Sequence, residues 1–140
     1  MKHTKLFFSL FILSFQFLSD LRAQDKLIGV WQRTGDTWEG EQVQISKLSD
    51  GGYEGTLIKL PANVTDYCMI TGNLKWRNIQ PSSKGLYQMD DLVSVKPDCA
   101  MKYDSRYINF TEDGKMSITP VFMDPAVGSN YQVWTKISDE

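Results

Sequence analysis

Histidine is all but absent from this chain: His3 is the single one among 140 residues. It stands within the first 23 residues, a stretch that reads as an export signal. Once that signal is removed, the remaining domain builds no Ser-His-Asp or Cys-His site, no histidine general base and no histidine-containing zinc site. Cysteine is scarce as well. Cys68 and Cys99 are the only two; they lie 31 positions apart and form no CxxC pair. No D-x-D-x-D-G loop for calcium occurs. Positive charge is not in excess: setting aside Lys2, Lys5, Arg22 and Asp20 of the signal, the 15 basic and 17 acidic residues fall to 12 and 16. That balance carries no footprint for nucleic acid or an anionic membrane. Past Leu18 no apolar run is long enough to span a bilayer. These absences lead us to expect a protein that is not an enzyme, holds no cofactor or metal, binds no nucleic acid and does not insert in a membrane after cleavage.

What is present begins with the signal itself. Met1-Lys2-His3-Thr4-Lys5 is a short positive segment, Leu6 to Leu18 is apolar almost throughout, and Ala23 offers a small residue before Gln24. Charge, apolar core and small-residue junction in that order read as a secretory signal peptide over 1–23. The alternative, a membrane anchor, asks for about 20 apolar residues. Residues 24–140 then form one domain with a single core, exported to the periplasm or beyond the cell and expected to be monomeric. In an oxidising compartment Cys68 and Cys99 are expected to form a disulfide. The rival reading is a reactive or metal-binding thiol pair, for which no second motif is present. Closing a loop of this length stabilises a fold by about 3–4 kcal/mol in the chain-entropy picture.

Strand periodicity runs through the rest. Leu27 to Arg33 is a first strand. Glu41 to Leu48 alternates, with Val43 and Ile45 on one face and Gln42, Gln44 and Ser46 on the other. Ser49-Asp50-Gly51-Gly52 supplies the positive-φ residues of a tight hairpin, and Tyr53 to Leu60 returns until Pro61 stops it. Further strands are predicted over Asn73–Ile79, Leu86–Val95, Met101–Phe110, Lys115–Phe122 and Asn130–Ile137. Thr111 to Gly114 forms a second hairpin, and Asp124 to Ser129 leads into the last strand. Short strands at this spacing, with turn chemistry between them and no sustained helical period, predict an all-β fold: one antiparallel up-and-down barrel of about eight strands. The pairs Val43/Ile45, Ile108/Phe110, Met116/Ile118 and Tyr131/Val133 are expected to face inward.

Two groups of side chains invite a functional reading. Asp90-Asp91, Asp98, Asp104, Glu112-Asp113 and Asp124 are the carboxylates a glycosidase or calcium site would draw on. Catalysis needs two of them facing across a cleft, and turns favour Asp, so they read as solvated turn residues. The aromatics Trp31, Trp38, Trp76, Tyr107 and Trp134 are the candidate ligand-contacting residues. Trp31 and Trp134 sit in regular strands and read rather as core. Trp38, among Asp36, Thr37, Glu39 and Gly40, is the candidate lid at a barrel mouth.

Gly29-Val30-Trp31 in a first strand, followed by antiparallel hairpins, resembles the opening G-x-W strand of the lipocalin and wider calycin barrels. Gln132-Val133-Trp134-Thr135-Lys136 is similar to the ending of small secreted bacterial lipocalin-like domains of unknown function. Gly52-Tyr53-Glu54-Gly55-Thr56-Leu57-Ile58 is similar to their second hairpin. The resemblance implies a closed barrel in which a basic residue of the last strand, here Lys136, packs over Trp31. It points to a non-catalytic barrel that takes a small apolar molecule in its lumen or at its mouth. An envelope-protein partner, met by the loops of a barrel with a filled core, is the second reading. An enzyme would need paired carboxylates or a Ser/Lys site, and no motif for either is present.

Overall fold

Alternation of apolar residues sets the wall. The computed structural model describes residues 26–64, 68–83, 86–95, 98–121 and 131–140. Its strands are β1 (Gly29–Thr34), β2 (Gln42–Lys47), β3 (Tyr53–Lys59), β4 (Leu74–Pro81), β5 (Tyr87–Val95), β6 (Met101–Phe110), β7 (Met116–Pro120) and β8 (Gln132–Ser138). Each pairs antiparallel with the next, and β1 pairs with β8 to close the barrel. The predicted count, order and class are those found. Residues 1–23, read as the export signal, and the 124–129 turn lie outside the described residues.

The two ends of the barrel differ. At the hairpin end the β2–β3 turn is tight: Leu48 and Gly52 are bonded across it at 2.8 Å, Gly51 has φ +90°, and the Asp50 carboxylate accepts the Gly52 amide. The β6–β7 turn is closed at the same end by the Thr111 amide on the Lys115 carbonyl. Longer connections gather at the other end, the loop end: 35–41 between β1 and β2, 60–73 between β3 and β4, and 96–100 between β5 and β6.

The lumen is filled rather than hollow. Trp31, Trp76 and Trp134 are buried in one core with Val43, Ile45, Leu57, Met89, Ile108, Met116 and Ile118. Trp76 and Trp134 meet edge to face with ring centroids 4.7 Å apart, a geometry worth about 0.5–1.5 kcal/mol beyond burial alone. Toward the hairpin end Trp31 packs on Phe110 at 5.9 Å, and its indole N–H is held by the Leu27 carbonyl. The Lys136 ammonium lies 5.5 Å from the Trp31 ring centroid.

One predicted face is reversed. Tyr131 and Val133 were expected inward, yet Tyr131 is half exposed and Trp134 is fully buried. In β8 it is Gln132 and Trp134 that share the inward face, because the largest apolar surface of the strand decides which side is buried. Gly55 of β3 shows how tight the packing is. A Cβ there would lie 2.8 Å from both the Trp76 ring and Val43 Cγ1. Gly55→Val is therefore expected to lower the urea midpoint by an amount equivalent to about 1–3 kcal/mol, the usual cost of overpacking a core. An unchanged midpoint would mean that the Trp76 ring moves aside freely.

Candidate functional site

Just below the loop end the inward positions turn polar. Continuing each apolar face by two residues reaches Arg33 beyond Trp31, Glu41 before Val43, Asp91 beyond Met89, Arg106 before Ile108 and Gln132 before Trp134. Lys75 joins them by a different route. β3 and β4 pair Gly55 with Trp76 and Thr56 with Leu74, so Lys75 is an extra residue on β4 and is buried beside Trp76. Bulges re-aim side chains in this way. β5 has a similar irregularity at Val93, and the neighbours Asp91 and Leu92 are both buried.

Asp91 is the hub. Its Oδ1 accepts from the Lys75 ammonium at 2.7 Å and the Trp76 indole N–H at 3.0 Å, and its Oδ2 accepts from the Gln132 amide at 3.1 Å. Gln132 in turn takes the Trp134 indole N–H at 3.1 Å. Lys75 also donates to the Leu92 carbonyl and lies 3.9 Å from Glu41 Oε1. Glu41 Oε2 accepts from Arg33 at 3.4 Å, and Arg33 makes a closer pair with Asp36, at 2.7 Å. Burial pushes the Glu41 carboxyl above its ordinary value; Lys75 and Arg33 pull the other way and Asp91 adds to the rise.

Two buried atoms of this layer have no hydrogen-bond partner among the described residues, Glu41 Oε1 and Arg106 Nε. The carboxylate oxygens within 4 Å of the Arg106 guanidinium are Asp91 Oδ2 at 3.9 Å and Asp104 Oδ2 at 3.8 Å, both beyond hydrogen-bond reach. Its Nε is buried and has no hydrogen-bond partner among the described residues.

The loops form a roof. Asp36 Oδ1 accepts the Trp38 amide and so shapes the turn that carries the indole. The Asn63 side-chain amide donates to the Thr37 carbonyl at 3.0 Å, tying the β1–β2 loop to the β3–β4 loop. Cys68 and Cys99 are joined by a disulfide, as expected, so the β3–β4 loop is stapled to the β5–β6 loop. Beneath the roof lies a cavity of about 180 Å³, bounded by Trp38 and Met69, by Leu92 and Val93, and by Arg33, Lys75, Asp91, Arg106 and Gln132.

The predicted site residues are thus distributed unequally. Trp38 is half-buried and borders this cavity. Trp76 and Trp134 lie under it as its apolar support, joined to its floor through Asp91 and Gln132. Trp31 is nearer the hairpin end, against a separate cleft with Phe110 and Lys136. Tyr107 is buried outside the main core, in register with Gln88 and Thr119.

The reading of the Asp90-Asp91 pair as solvated turn residues is overturned for Asp91, which has no exposed surface, while Asp90 meets Arg77 and Asn78. Among the described residues no three His, Cys, Asp or Glu side chains are grouped as a metal ion would require. Comparison with models of known families, with curated proteins and with solved structures finds no match to this chain.

Removing one member of a buried pair strands the other. Asp91→Asn is expected to destabilise the fold by about 3–5 kcal/mol in urea unfolding, because it leaves the Lys75 ammonium buried without its counter-charge. A loss below 1 kcal/mol would show that Lys75 escapes to solvent. Glu41 sets a pH dependence of the opposite kind to that of a paired carboxylate. Its folded form holds the proton more tightly than the unfolded chain, so its stabilising contribution is full below about pH 4.5, the ordinary value, and is lost as pH rises through the raised one. The stability of the native chain relative to Glu41→Gln should accordingly fall as pH rises from acid to neutral. A relative stability that climbs instead would assign Glu41 a net favourable pairing with Arg33 and Lys75.

Proposed function

We propose that the protein is an exported, non-catalytic binding barrel that receives a small molecule at its loop end, in the cavity under Trp38 and Met69. The observation that carries this reading is the contrast between the two parts of the interior. Three tryptophans fill the lumen, whereas the polar layer above them borders an open volume of about 180 Å³. Eight-stranded barrels either pack their interior with side chains or hold one small ligand, and here the packing stops one layer short of the mouth. The expected apolar ligand suits the lining less well than a polar one, since five of the nine bordering side chains are charged or amide-bearing. The Cys68–Cys99 bond supports an oxidising compartment and, with it, the reading of 1–23 as an export signal. The lipocalin-like resemblance supports the same class of binding barrel, with Lys136 over Trp31 as the contact it implies.

A protein partner is the second reading, favoured by Ile70 and Met101, exposed at 55% and 47% and each two residues from a disulfide cysteine. Native mass spectrometry of residues 24–140, purified without reductant from the producing cells, separates the two. The expected result is a monomer carrying a small adduct that is lost on denaturation and markedly depleted in Trp38→Ala. An adduct retained undiminished by Trp38→Ala would place the ligand away from the roof. A bare chain that instead retains a protein through Ile70 and Met101 would move the second reading ahead.

A further inference from the structure

We propose that the loop-end cavity is built for a small monocarboxylate with a flat apolar body, anchored by Arg106. This rests on the loop-end reading above and specifies its ligand class. Of the three cations that border the cavity, two are already engaged. Lys75 is bonded to Asp91 and Leu92, and Arg33 to Asp36 and Glu41. Arg106 alone reaches no acceptor within hydrogen-bond distance among the described residues, although its Nε is buried. A buried donor without a partner is costly, and a guanidinium presents a planar fork matched to a carboxylate.

Charge counting restricts the ligand further. Arg33 is paired with Asp36 and Glu41 and Lys75 with Asp91, so the one positive charge left without a bonded counter-ion among the described residues is that of Arg106. Asp36 and Asp104 stand at the solvent-exposed rim, where water screens them. A monoanion neutralises the Arg106 charge. A dianion such as phosphate overshoots it and meets the Asp91 carboxylate at close range. The other walls are apolar, Trp38, Met69, Leu92 and Val93, and the Trp38 indole is the planar one among them. The volume, about 180 Å³, is on the scale of a small molecule such as a single ring or a short chain.

Benzoate is the probe, with benzamide as its neutral isostere and inorganic phosphate as the dianion, each titrated into residues 24–140 while the Trp38 indole and Arg106 Nε–H signals are followed by NMR. Benzoate is expected to shift both signals saturably and to bind at least about tenfold more tightly than either comparison compound. Arg106→Gln should weaken benzoate by roughly ten- to a hundredfold without lowering the urea midpoint, since among the described residues that side chain makes no hydrogen bond, and Arg106→Lys should restore part of the loss. Equal binding of benzamide and benzoate at Trp38 would overturn the carboxylate inference and leave the loop-end reading standing. Preference for phosphate would overturn the single-charge argument. Benzoate that leaves Trp38 and Arg106 unmoved and shifts signals at the hairpin end would overturn both.

Discussion

The Asp91 carboxylate lies where water does not reach it, and it is satisfied by donors from two sides of the barrel. β4 supplies the Lys75 ammonium and the Trp76 indole, and β8, which is paired with neither β4 nor β5, supplies the Gln132 amide. An unmatched ion in such a place costs several kcal/mol, so these donors must be present for the wall to close around it. Their positions then govern the layer beneath. Trp76 is oriented by its bond to Asp91, Trp134 by its bond to Gln132, and the two rings meet edge to face as a result. A single carboxylate thereby joins the polar and apolar halves of the interior.

That arrangement divides labour along the barrel axis. The apolar layer supplies stability through close packing, as the lack of room for a side chain at Gly55 shows. The polar layer is held rigid from below by the tryptophans and from above by loops linked through Asn63 and the disulfide. Side chains fixed in this way lose little freedom when a ligand arrives, which is the physical meaning of a preorganised site. Among the described residues, Arg106 is the member of the layer whose buried Nε donor this scaffold leaves unfilled.

Much of this was legible in the amino-acid order, and the part that was not has a physical reason. Eight runs of alternating residues separated by Gly- and Asp-bearing turns predicted the strands, and two cysteines in loops predicted the staple. The polar layer obeys the same alternation: Glu41, Val43 and Ile45 share one face, as do Arg106, Ile108 and Phe110. The inward face was followed only as far as its apolar members, so the charged residue one step further on was given no inward role. Asp91 was hidden by its neighbour, since an Asp-Asp pair reads as a turn although the two side chains point to opposite faces. Lys75 was not legible at all. Strict alternation places it outside when Trp76 is inside, and only the register slip between β3 and β4 brings both in. The reversed face of β8 has the same origin as any one-residue slip: Tyr131 and Trp134 compete for the interior, and parity admits one of them.

The seam between β1 and β8 has a consequence for the bare edges of the sheet. Every other strand pair joins neighbours in the chain, whereas here the Thr34 hydroxyl donates to the Val133 carbonyl across 99 positions. At the seam the chain approaches so closely that a side chain on Gly29 would strike the Ser138 carbonyl at 2.3 Å. Until the seam shuts, the curled sheet has two bare edges that are complementary to one another, and therefore equally complementary to the edges of a second molecule. Closure within one chain wins because the two edges are tethered, which gives them a high effective concentration that any second molecule must exceed. The bare glycine at the seam thus makes room for the last strand to settle onto the first within one chain.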